Sequence, residues 1–89
     1  MAVYMVERNL PGITMEQLAA AQKAAIEKGQ ESTANGKDVR YLRSIFVPGE
    51  AKCMCLFEAC NAEAVKEVNE AANIPFTDIK EALDLPPQS

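Results

Sequence analysis

VRYLRSIFVPGEAKCMCLFEAC, residues Val39 to Cys60, decides the fold, because it reads as two strands joined by a tight turn. β-Branched and aromatic residues fill both arms, and Pro48-Gly49-Glu50 supplies the turn formers between them. With Gly49 and Glu50 at the tip, Pro48 lies opposite Ala51, and the pairs run back as Phe46 with Cys53, Ser44 with Cys55, and Leu42 with Phe57. Side chains alternate along a strand, so these residues share one face, a candidate core. Val39, Tyr41, Arg43, Ile45 and Val47 then share the other face with Met54, Leu56, Glu58 and Cys60. That second face mixes apolar residues with Tyr41, Arg43 and Glu58, which makes it the candidate functional face. A slip of one residue in one strand would scramble the segregation, so the expectation is sensitive to register.

On the N-terminal side, Ala2 to Asn9 alternates Val3, Met5 and Glu7 against Tyr4, Val6 and Arg8, the pattern of a first strand. Leu10-Pro11-Gly12 turns the chain. Thr14 with Gln17 three residues later forms a capping-box pattern, flanked by Ile13 and Leu18 as a hydrophobic staple, so a helix begins there. Leu18, Ala21, Ala25 and Ile26 fall along its apolar side, and Gly29 is the expected stop. Gln30 to Lys37, QESTANGK, is polar and rich in turn formers, and reads as a mobile surface loop.

Beyond the hairpin, Asn61 is placed to cap a second helix with Val65, Val68 and Ala72 on its buried side and Lys66, Glu67 and Glu70 outside. That helix ends near Asn73. Asp78 to Leu85 offers a last strand, and residues 86–89 form a tail after a single domain spanning residues 1–85. The order βαββαβ folds most simply as an α+β domain, a four-stranded antiparallel sheet with two helices on one face, which is the ferredoxin-like arrangement. The other face of such a sheet stays uncovered, and an apolar face of that kind marks an interface or a pocket.

The totals narrow the function. A chain of 89 residues supports one modest core, so a homodimer that buries more surface is a natural expectation. Nine basic against thirteen acidic residues give a net charge of −4 without a basic stripe, which argues against nucleic acid. No apolar run reaches the roughly 20 residues that span a bilayer. The start has no basic region followed by an apolar run, and the three cysteines are an odd number, so reduced thiols in a cytoplasmic protein are expected.

YMVERNLPGIT at Tyr4 to Thr14, VRYLRSIFVP at Val39 to Pro48, CLFEA at Cys55 to Ala59, the helix AEAVKEVNEAA and the closing PFTDIKEAL together resemble a nickel-responsive family of small ferredoxin-like domains. The resemblance covers nearly the whole chain. It implies a ferredoxin-like subunit that pairs as a dimeric α+β barrel, with the open sheet faces enclosed between subunits. Nickel-binding relatives are expected to use histidine, and this chain contains none, so no metal ligand or cofactor is carried over.

Glu7, Tyr41, Arg43 and Glu58 can converge on the open face if the first strand turns Glu7 to the side of Glu58. Such a set suits a small polar ligand: Arg43 can grip a carboxylate bidentately, Tyr41 can donate a hydrogen bond, and a carboxylate in an apolar cleft can serve as a base. The same residues serve equally as ion pairs at a subunit interface. Cys53 and Cys55 point to one side, into the core, where thiols act as small hydrophobes; a soft metal or redox role needs further ligands. Cys60 ends its strand and is expected to be exposed, while Met5, Met15 and Met54 read as core or interface fillers. The expected function is therefore a cytoplasmic homodimer that binds a small polar ligand through Glu7, Tyr41, Arg43 and Glu58, or a divalent metal ion whose ligands the sequence leaves open. The alternatives are a cofactor-free monooxygenase or isomerase of the dimeric α+β barrel type, and a face used only as an interface.

Overall fold

A computed structural model describes residues 1–87, so Gln88 and Ser89 of the expected tail lie outside the described residues. The chain runs β1 (Ala2–Asn9), α1 (Met15–Ala34), β2 (Val39–Val47), β3 (Lys52–Ala59), α2 (Ala62–Ala71) and β4 (Asp78–Ala82). The strands form an antiparallel sheet in the order β2-β3-β1-β4, the ferredoxin-like topology expected from the order of elements. No helix is long and apolar enough to cross a membrane among the described residues.

The core lies between the helices and one face of the sheet. Tyr4 and Val6 of β1, Cys53, Cys55 and Phe57 of β3, and Val65 and Val68 of α2 are its buried members. Period-two burial along β1 and β3 follows from their alternating sequences. At the start of α1 the capping box forms as the sequence predicts: the Gln17 N–H donates to the Thr14 hydroxyl at 3.1 Å, and Gln17 Oε1 accepts from the Thr14 N–H at 2.9 Å. Asn61 caps α2 in the same manner, accepting from the Ala64 N–H at 2.8 Å.

Three expectations are corrected. First, α1 does not stop at Gly29 but continues through Ala34, so most of the stretch read as a loop is helix. The helix ends instead in a Schellman arrangement, with the Lys37 N–H donating to the Ser32 carbonyl, the Gly36 N–H donating to the Thr33 carbonyl, and Gly36 at φ 94°. Ile26, expected on the buried side, is 42% exposed. Second, β4 ends at Ala82 rather than Leu85.

Third, the hairpin register holds only near the turn. Phe46 faces Cys53 and Ser44 faces Cys55 as expected, but a β-bulge at Leu42 puts Tyr41 opposite Phe57 and Arg40 opposite Glu58. The extra residue reverses the sidedness of everything before it. Val39 and Tyr41 therefore turn toward the helices, and Arg40 joins the open face in place of Tyr41.

Candidate functional site

The helix-free face of the sheet takes Val3, Met5 and Glu7 from β1, Met54, Leu56 and Glu58 from β3, Arg43 and Ile45 from β2, and Lys80 from β4. Glu7 does share the side of Glu58, because each sits two residues, an even step, from the Met5–Leu56 pair. The charged groups are nonetheless dispersed into separate ion pairs. Glu7 pairs with Lys80 at 3.3 Å, Glu58 with Arg40 at 2.9 Å, and Arg43 with Asp84 at 3.0 Å. The Glu7 carboxylate, by hydrogen bond and by charge, raises the Lys80 ammonium above its ordinary value. Arg43 and Asp84 join opposite margins of the sheet, since β2 and β4 are its two edges and Asp84 lies two residues past β4.

Tyr41 belongs to the other layer. Its ring meets Phe57 edge-on with centroids 5.5 Å apart, and its hydroxyl accepts from the Gln22 amide of α1 at 2.8 Å. The Tyr41 hydroxyl also bonds Ser44, whose own hydroxyl donates to Cys55 Sγ at 3.0 Å. Of the four expected site residues, Glu7, Arg43 and Glu58 thus lie on one face, each in a separate ionic contact, with Glu7 sharing Lys80 with Asp78, and Tyr41 lines the helix side.

On that helix side a cavity of about 130 Å³ opens between α1 and the sheet, walled in part by Arg8, Met15, Tyr41, Ser44, Cys53 and Cys55. Cys53 and Cys55 are buried with their sulfurs 3.8 Å apart, and Cys60 is exposed, as the alternation along β3 predicts. Burial pushes the Cys53 thiol up to about 11, the neighbouring Cys55 adds to the effect, and Arg8 opposes it.

Sequence reading passed over Arg8 and Asn69. Arg8 is 3% exposed and Asn69 fully buried. The guanidinium donates to Asn69 Oδ1 at 2.9 Å and to the Pro75 carbonyl at 3.3 Å, and Asn69 anchors itself by donating to the Val65 carbonyl at 2.8 Å. Both acceptors are neutral, and no carboxylate lies within ion-pair distance of Arg8 among the described residues. The parity of Tyr4, Val6 and Arg8 was the available signal, because it sends Arg8 into the same layer as two core residues.

Among the described residues no group of three His, Cys, Asp or Glu side chains is placed to hold a metal ion. Histidine is absent from the sequence. Such a donor set does not fit a nickel site within one chain, because imidazole, the ligand that suits nickel, is missing and the carboxylates near the open face are engaged singly with cations.

The crystal structure of SCO4226 from Streptomyces coelicolor A3(2) is similar to this chain, with a TM-score of 0.76 and 26% identity over 99% of this chain and 100% of that one. No curated protein matches the chain. The model of the family described as nickel responsive protein SCO4226-like matches residues 4–81, from the strand that carries Glu7 and Arg8 to the edge strand that carries Lys80. Fold, topology and sequence agree: the chain belongs to the SCO4226-like family of nickel responsive proteins.

Proposed function

We propose that the chain is a dimeric, non-catalytic binding protein whose helix-free sheet face pairs with the same face of a second copy. Placement of the apolar side chains carries this reading. Met5, Met54 and Leu56 run along the middle of a face that no helix covers, and Ile45 beside them is 57% exposed. Leu83 and Leu85, flanking the Asp84 that is drawn toward β2, are 80% and 77% exposed. Apolar surface gathered in this way favours association, at roughly 25 cal/mol for each Å² removed from water.

A two-fold arrangement suits the charges as well. Glu58, Asp84 and Glu7 each have a cation from their own chain, and Asp78 shares Lys80 with Glu7, so most of the charge that pairing two copies would enclose is already neutralised within each copy. Glu7, Arg43 and Glu58 then border the space between the sheets, where a small polar ligand exchanges its own charge for one of these pairs. The enzyme alternative lacks an equivalent support, because the three groups are not gathered around one point.

Sedimentation of the reduced, untagged protein tests the proposal. We expect twice the chain mass at micromolar concentration, and the chain mass for Met54→Glu, with circular dichroism unchanged. A monomeric parent protein at high micromolar concentration overturns it.

A further inference from the structure

The core cavity holds a second chemistry that the sheet face does not use, and the inference from it is independent of dimerisation. Cys53 and Cys55 stand two apart on β3 and present their sulfurs to one side, 3.8 Å from each other and beside the cavity. Two sulfurs bound to one metal ion at about 2.3 Å each stand roughly 3.8 to 4.0 Å apart at tetrahedral or trigonal angles. The pair is therefore spaced for a shared ion without movement of the strand. Ser44 already donates a hydrogen bond to Cys55 Sγ, the outer-sphere contact that fixes a thiolate ligand. Met15 lines the same cavity from its solvent side, 75% exposed, and carries a thioether.

Charge selects the ion. Arg8 sits opposite Cys53 across the β1–β3 ladder, buried and with only neutral acceptors on its guanidinium. A monovalent ion on two thiolates carries a net charge of minus one, which Arg8 cancels inside the low-dielectric core. A divalent ion on the same thiolates is neutral and leaves Arg8 as unmatched as before. Soft sulfur ligands and the absence of histidine argue for a thiophilic ion rather than nickel, and the charge balance at Arg8 favours a monovalent one over zinc.

We propose that Cys53 and Cys55, supported by Ser44 and the Arg8 charge, form a binding site for a soft monovalent cation of the Cu(I) type in the cavity between α1 and the sheet. Binding exchanges protons for metal: two neutral thiols and one Cu(I) give a bis-thiolate complex and two released protons, with no change of oxidation state.

The test uses full-length, untagged, reduced protein carrying Cys60→Ser, so that the exposed third thiol does not contribute. Cu(I), supplied anaerobically as its acetonitrile complex, is titrated while the ultraviolet thiolate-to-copper absorption and proton release are followed. We expect saturation at one ion and two protons per chain, loss of saturable uptake on adding Cys53→Ser or Cys55→Ser, and affinity lower by about 10- to 100-fold for Ser44→Ala. Zn(II) and Ni(II) at equal concentration should not compete. X-ray absorption of the loaded Cys60→Ser protein, which needs no further substitution to fold, should show a shell of sulfur neighbours. Absence of uptake, uptake that survives both serine changes, a shell of nitrogen or oxygen alone, or equal competition by Zn(II) each overturns the proposal.

Discussion

Arg43 on the edge strand β2 meets Asp84, two residues beyond the opposite edge strand β4, at 3.0 Å. This one contact ties the chain after β4 to the far side of the sheet. Arg43 is largely exposed, so the pair contributes less than about 1 kcal/mol to global stability. Asp84→Ala should therefore leave the urea midpoint nearly unchanged, while limited proteolysis after Ala82 becomes several-fold faster. A large midpoint shift with unchanged cleavage would show that the contact does something other than hold the segment.

Gly29 lies inside α1 where the helix crosses β2, and a Cβ there would stand 3.1 Å from the Val39 carbonyl oxygen. Glycine is used for the approach of two backbones rather than to end the helix. Gly29→Val, which adds further atoms at that contact, should cost about 1 to 3 kcal/mol in chemical denaturation by overpacking. An unchanged stability would mean that α1 can slide away from the strand.

Arg8 depends on Asn69 for a buried acceptor. Asn69→Leu keeps the volume but leaves the guanidinium short of a partner, and should cost about 3 kcal/mol. Asn69→Asp restores an acceptor and adds an opposite charge, so denaturation curves at neutral pH should recover at least half of that loss. Equal losses for the two variants would place the importance of Asn69 in its other bond, to the Val65 carbonyl.

Thiol accessibility separates the cysteines. With Cys53 and Cys55 buried and Cys60 exposed, a charged disulfide reagent at neutral pH should label one thiol quickly in the native chain, and all three once the chain is unfolded. Cys60→Ser should abolish the fast phase. Rapid labelling that persists in this variant would show that the cavity opens to solvent.

Nickel provides the sharpest contrast with the family's description. Because the sequence holds no histidine, a calorimetric titration of untagged protein with Ni²⁺ should give no saturable heat. A fixed stoichiometry would instead mean that carboxylates or thiolates replace imidazole, and Glu7→Gln and Cys53→Ser would then show which of them bind.

Much of the fold was legible in local chemistry. The Thr14 and Asn61 caps, the alternation along β1 and β3, and the pairing of Phe46 with Cys53 all follow from side chains acting on their nearest neighbours. Gly29 was misread because a glycine that ends a helix and one that admits another strand look alike in sequence, and only the position of Val39 tells them apart. QESTANGK resembled a loop because five of its eight residues belong to the exposed last turns of a helix, while its Asn35-Gly36 was the true ending. The candidate site was read less well for a similar reason. Counting back from the turn assumed uninterrupted pairing, and the extra residue at Leu42 moved Tyr41 from the face of Arg43 and Glu58 to the layer of Phe57.

That bulge also bears on how copies of the chain meet. An edge strand with free N–H and C=O groups is a template on which another sheet can grow without limit. β2 is such an edge, yet the irregularity at Leu42 interrupts its outer row of hydrogen-bonding groups midway, and Arg40 and Arg43 flank the break with like charges. β4, at the other margin, is only five residues long. Strand-by-strand polymerisation is thus discouraged at both margins, a feature that suits the closed pairing through the broad surface proposed above.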